Sequence, residues 1–333
     1  MRPEPDFGGW TPVRVAWRGG RPRVEWCHTE GAAFTDLFFA DTVRRCRADH
    51  FRPPLRRETT MEEVGRFVDH HPGLPPAGLV FHMSRCGSTL VSQMLGAAPE
   101  HLVLSEPAPV DSVLRAHQNG SAVTDEDRSR WLRWMVAALG QSRPPRRRLF
   151  VKFDAWSVTE LATVRRAFPD VPWLFLFRAP VAVLASHARL PGAHVVPGVL
   201  PPEVLGVAFP VGDPNPLTGY AARALARICA AALAWKDDPG ITFVDYSRLP
   251  DFVVGDLLAA WSLSVTGEGV ARMRHAAGRD AKNPNRPFKP RSAQEKAEPE
   301  PEPELRAAAD RWLMPEYERL LAVSGGRGGV RAG

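Results

Sequence analysis

Cysteine is scarce in this 333-residue chain. Cys27, Cys46, Cys86 and Cys229 lie far apart, without a C-x-x-C pair or a His/Cys cluster. That excludes a disulfide framework and a structural zinc site, and it suits a reducing compartment. His70, His71, His82, His117, His187 and His194 form no metal-ligand spacing either, so no metal is expected. Long apolar runs are missing too. The most apolar helical stretch, 221–235, is interrupted by Arg223 and Arg227, so membrane insertion is not expected. The opening MRPEPDFGGW lacks the apolar core of a secretory signal, and the expected location is cytoplasmic. No internal repeat is present.

Lysine is rare as well. Only five of the 43 basic residues are lysines, so arginine carries the net charge of +6. The planar guanidinium suits phosphate and sulfate groups, which favours anionic ligands. No basic stripe with interleaved aromatics runs along the chain, so nucleic acid is not an expected partner. With 44% apolar and 9% aromatic residues, the chain can bury a sizeable core, and wholesale disorder is excluded.

Residues 1–75 read as a packing extension. WTPVRVAWRGGRPRVEWCHTE predicts a hairpin turning at Gly19-Gly20. FTDLFFADTVRRC places Leu37, Phe38 and Val43 at helical spacing, and TMEEVGRFVDHH starts on a threonine cap with glutamates in its first turn. From about residue 76 the pattern changes. Apolar strands at 79–83, 148–153, 173–177 and 241–246 alternate with helical segments. Such continuously apolar strands predict an α/β domain over 76–325, with a central parallel sheet flanked by helices. The Pro/Gly-rich segment 190–216 predicts a long loop, of the kind that serves as a lid, a binding loop or a disordered stretch. An acidic, proline-punctuated stretch leads to a last helix near 304–323, and 326–333 reads as a flexible tail.

The most informative segment is FHMSRCGSTL, residues 81–90. A strand ends, the chain turns through Gly87, and a helix begins near Ser88 and Thr89. Backbone N–H groups and the helix dipole favour an anion at such a junction. Ser88 and Thr89 add hydroxyls there, and Arg85 adds a permanent charge. A Walker A loop would need a lysine directly before the hydroxyl residue, and none stands there.

Ser84-Arg85-Cys86-Gly87-Ser88-Thr89-Leu90 resembles the 5′-phosphosulfate loop of the sulfotransferases, with Ser84 and Cys86 as departures from the family pattern. FRAPVAVLAS adds a second likeness. Arg178 follows an apolar strand and Ser186 comes eight positions later, as in the family's grip on a 3′-phosphate, where a guanidinium fork takes two phosphate oxygens. The resemblance covers roughly 78–290. It implies a three-layer P-loop-type fold and 3′-phosphoadenosine 5′-phosphosulfate (PAPS) as sulfuryl donor, leaving adenosine 3′,5′-bisphosphate (PAP) as product. It further implies a nucleotide site drawn from Arg85 to Leu90 (Cys86, Gly87, Ser88 and Thr89 between them), Arg178, Ser186, Tyr246, Arg286 and Lys289. The acceptor would be a hydroxyl or amine on a small molecule or peptide.

Sulfuryl transfer needs a base near the acceptor and cations on the leaving phosphate. The transferred group carries less charge than a phosphoryl group, so a metal is not obligatory. Glu106, after a short strand and before Pro107, is the first candidate base, at a separation from Arg85 that resembles tyrosylprotein and bacterial small-molecule sulfotransferases. Lys152 resembles the family's second cation. Asp154 shares its strand face and occupies the place where many relatives carry a histidine base, making it the second candidate. Two other readings stay open: a P-loop kinase using ATP and Mg, with Asp154 on the metal, and a non-catalytic nucleotide-binding module.

Overall fold

A computed structural model describes residues 7–50, 57–119, 123–141, 144–278 and 302–325. Strand β1 (Trp10–Arg18) and β2 (Arg21–His28) form the expected hairpin. Gly19 and Gly20, at φ 55° and 73°, supply the two left-handed residues that a tight turn between twisted strands requires. A polar four-residue strand, β3 (Arg57–Thr60), completes this antiparallel sheet in the order β1-β2-β3. Trp26 is its anchor: its indole N–H donates to Thr59 Oγ1 at 2.8 Å, and its ring stacks on Phe7.

Helix α1 (Phe39–Ala48) starts later than the apolar spacing predicts. Asp36 accepts from Thr42 Oγ1 and Arg45, both at 2.7 Å. That pins the preceding segment back onto α1, and Phe38 keeps an extended backbone. Helix α2 (Met61–His70) begins on the expected cap. Thr60 and Glu63 form a reciprocal capping box, which meets two N–H groups that a helix start otherwise leaves bare.

Five strands make the main sheet: β4 (Pro76–His82), β5 (His101–Ser105), β6 (Arg148–Lys152), β7 (Trp173–Phe177) and β8 (Ile241–Asp245). They run parallel in the order β5-β6-β4-β7-β8. All five residues of β7 are buried, as expected of a strand covered on both faces. The central layer continues past the strand ends, where Phe81 stacks on Phe153 at 4.5 Å. The linking helices are α3 (Ser88–Ala97), α4 (Ala108–Leu114), α5 (Asp125–Leu139), α6 (Leu161–Ala167) and α7 (Pro180–Arg189). After the long loop with its short helix α8 (Pro202–Leu205) comes α9 (Pro216–Leu233). Helical residues 267–277 pack on α3, and 303–325 pack against α9 and β8.

This strand order locates the site. From β4 the chain moves outward to β5. From β6 it crosses back over β4 to β7. Right-handed crossovers therefore send these connections to opposite faces, leaving a crevice at the carboxyl ends of β4 and β6.

Candidate functional site

The β4–α3 loop is strained and stitched down. Ser84 and Arg85 have φ values of 81° and 52°, a left-handed conformation that side-chain-bearing residues rarely hold without compensation. The compensation comes from a neighbouring ring and a neighbouring strand. Ser84 N–H donates to His82 Nδ1 at 3.0 Å, so the proton of that imidazole sits on Nε2, which donates to Phe153 O at 3.1 Å. Burial keeps His82 below its ordinary pKa, and the nearby Lys152 ammonium works in the same direction. On the other side, Met83 N–H and the Cys86 thiol both donate to Leu176 O of β7, at 3.0 and 3.1 Å.

The Cys86 side chain is thus turned into the core, where burial pushes its thiol up to about 12. Leu90 also points into the core. Only the backbones of these two expected ligand residues can face the loop. Ser88 and Thr89 line the cavity beside it. The N-cap of helix α3 is Gly87, which has no side chain to cap the helix, and the Ser88 backbone N–H bonds the Cys86 sulfur.

Gly87 is required where it stands. Its φ is 87°, and a Cβ there would lie 2.6 Å from Leu249 Cδ1 and 2.9 Å from Tyr246 Cδ2. The Tyr246 ring against Gly87 also carries the Arg178 guanidinium, 4.4 Å from its centroid. One aromatic ring therefore spans the anion loop and the first residue after β7. Arg178 N–H donates in turn to Met83 Sδ at 3.3 Å. Ser186 lies half-buried on α7. Arg286 and Lys289 fall outside the described residues.

Across the crevice, Glu106 stands at φ 55° and its N–H donates to Lys152 O at 2.7 Å, extending the β5–β6 ladder past its end. Lys152 Nζ donates to Glu106 Oε1 at 2.5 Å, and the same oxygen is 3.6 Å from His82 Nε2. Burial alone would raise the Glu106 carboxyl. The Lys152 charge outweighs it, with His82 assisting, and holds the group down at about 2. Asp154 goes the other way: burial first, then the charges of Glu106 and Asp111, raise it well above the carboxylate range. Two carboxyl groups on one cavity are thus shifted in opposite directions, Glu106 down and Asp154 up.

The cavity is about 300 Å³ and brings together Arg85, Ser88, Thr89, Glu106, Lys152 and Asp154. Sequence reasoning missed several of its walls. Phe38 lays its ring 5.0 Å from Lys152 Nζ. Trp156 is held by an indole N–H to Asp111 Oδ1 bond of 2.7 Å, and Arg115 clamps the same carboxylate. Gly192, Ala193 and His194 come from the long loop. Burial and the facing His187 carry His194 down to about 3, so its imidazole stays neutral. Arg85 ties this loop to the anion loop through a guanidinium bond to Leu190 O. The Pro/Gly-rich composition signals the loop, but nothing local in the sequence says which of its residues turn inward.

No family model and no curated protein sequence matches the chain. Among solved structures, the chain is similar to a sulfotransferase from Mycobacterium avium (14% identity, 64% of this chain and 71% of that one, TM-score 0.41). It is also similar to a sulfotransferase from Alicyclobacillus acidocaldarius (18% identity, 75% and 96%, TM-score 0.42). A third is the sulfotransferase domain of the Synechococcus PCC 7002 olefin synthase (16% identity, 72% and 95%, TM-score 0.43). No described helix is long and apolar enough to cross a membrane.

Proposed function

We propose that this chain is a PAPS-dependent sulfotransferase acting on a hydroxyl or amine acceptor. The observation that carries the proposal is the Tyr246 ring, which joins the uncapped helix start at Gly87 to the Arg178 guanidinium. Two anion grips sharing one aromatic wall suit a nucleotide with phosphate groups at both ends. The residues present fit such a ligand. A side chain at Gly87 would collide with the Tyr246 ring that backs the loop, the start of α3 presents backbone N–H groups, and Arg178 offers a fork for phosphate oxygens.

When bound, PAPS supplies a sulfuryl group on a phosphate leaving group. The chain's own residues then have separate tasks. Glu106, ionised, accepts the proton of the acceptor hydroxyl. Lys152 and Arg85 present positive charge where negative charge gathers, and preorganised charge of this kind is the largest usual contribution to such catalysis. His82 holds the loop backbone at Ser84, and Phe38, Trp156 and the Gly192–His194 turn keep water out.

PAP binding to Arg178→Ala tests the nucleotide site. Losing a charge-assisted phosphate contact of about 1.5–3 kcal/mol weakens binding about 10- to 100-fold. Unaltered PAP affinity in that variant would refute the site, and ATP- and Mg-dependent turnover without PAPS would favour the kinase.

A further inference from the structure

A second cavity, of about 660 Å³, is lined by residues that neighbour those of the first along the chain. Three elements pass from one to the other within a few residues. Leu37 lines the second cavity and Phe38 the first. Ser105 and Glu106 divide in the same way at the end of β5, as do Ser92 and Thr89 one turn apart on α3. Phe38 is thus the partition, standing over Lys152.

The second is walled by Phe34, Leu37, Ala97, Val103, Ala271 and Ala276 on its apolar side, and polar residues such as Ser92, Gln93, Ser105 and His275 also line it. Charges around it already have partners: Asp36 is bonded to Thr42 and Arg45, and Glu268 to Arg272 at 2.7 Å. The first cavity carries the charged groups Arg85, Glu106, Lys152 and Asp154 and lies at the bottom of the size range of ligand pockets, whereas the second lies well inside it. A sulfuryl group and an acceptor head fill the first, so the acceptor's body needs another place.

We infer that the second cavity receives the apolar body of the acceptor, an alcohol on an extended hydrocarbon chain whose hydroxyl passes Phe38 to reach Glu106. This rests on the sulfuryl-transfer proposal and names its substrate class. The first measurement is turnover of straight-chain primary alcohols from ethanol to octan-1-ol with PAPS on the full chain. The second is calorimetric binding of octan-1-ol without donor, which does not depend on turnover. Both are repeated on Ala276→Trp and on Ala271→Trp, the latter at an exposed helix position where folding is not at risk.

The expected result is a rise in kcat/KM of about fourfold per methylene, the fold-change matching about 0.8 kcal/mol per buried CH₂. Over the series that exceeds a hundredfold, and both tryptophan variants erase the preference and octan-1-ol binding together. Equal kcat/KM for ethanol and octan-1-ol, or octan-1-ol binding untouched by both variants, overturns the inference. Preference for methyl glucoside does so too, moving the acceptor's body to the polar cavity beside Trp17 and Asn119. Cavity-dependent octan-1-ol binding with no sulfated product leaves the cavity assignment standing and removes the sulfuryl-transfer proposal instead.

Discussion

Lys152→Met would leave the Glu106 carboxylate buried beside a thioether instead of an ammonium. In the native fold the side chain of Lys152 is 1% exposed and that of Glu106 26%, so water reaches the carboxylate from the cavity side only and replaces the lost ammonium in part. A carboxyl that titrates at about 2 in the fold and near its ordinary 4.5 in the unfolded chain contributes about 3 kcal/mol at neutral pH. Breaking a buried ion pair by removing one partner typically costs about 3–5 kcal/mol, which agrees. Glu106→Gln should cost a similar amount, because Lys152 would keep only an amide and the Phe38 ring. The double variant loses both charges and should recover most of the stability.

Urea unfolding of the two single variants and the double variant gives a coupling free energy of about 3 kcal/mol. The pH dependence adds a sign. Because the native Glu106 pKa is depressed, its stabilisation is present above 4.5 and disappears as pH falls towards 2. In Lys152→Met, burial acts without the opposing charge and the pKa rises, so stability should fall as pH climbs above 4.5. Additive single costs, with coupling under about 0.5 kcal/mol, or an unchanged pH profile in Lys152→Met, would refute the account of this pair.

Gly87→Ala should lose about 1–3 kcal/mol through its left-handed backbone, and lose PAP affinity as Tyr246 is displaced. Unfolding and PAP titration check both, and a variant as stable as the parent would show that the loop is not held as described. Asp154→Asn should be more stable than the parent at neutral pH. Its raised carboxyl stabilises the fold below the ordinary range and loses that contribution as pH rises through the folded value. Urea midpoints that diverge with rising pH support this, and parallel midpoints count against it.

What was legible in the sequence is what lies close together along it. The anion loop could be read because Arg85, Gly87, Ser88 and Thr89 stand within five positions, and the end of an apolar strand says where they sit. The parallel sheet could be read because a continuously apolar five-residue segment such as 173–177 is too short to cross a membrane as a helix and reads as a strand buried on both faces. The Thr60 cap is equally local. Other features required chain-distant partners. β3 is polar and four residues long, and it exists because β2 pairs with it and Thr59 meets Trp26. Phe38 reads as one more apolar position of α1, yet the Asp36 bonds unwind that turn and free its ring to cover Lys152. The clamp of Asp111 and Arg115 on Trp156 joins α4 to the segment after β6, which no spacing rule connects.

The same distinction governs the two candidate bases. In sequence, Glu106 and Asp154 are equivalent carboxyls after apolar strands, and only their surroundings separate them. Lys152 ends β6 opposite Ser105, so its ammonium falls beside the residue after β5 and binds Glu106. Asp154, which the sequence places on the strand face of Lys152, lies instead past the end of β6 at the start of the next turn and faces the negative charges of Glu106 and Asp111. One lysine therefore holds the first carboxyl down, and the charge of that carboxyl adds to burial in raising the second. Removing Lys152 should disturb both carboxyls, whereas removing Asp154 should leave the Glu106–Lys152 pair in place. The strand register thus assigns the anionic role to Glu106 through a contact made across the sheet.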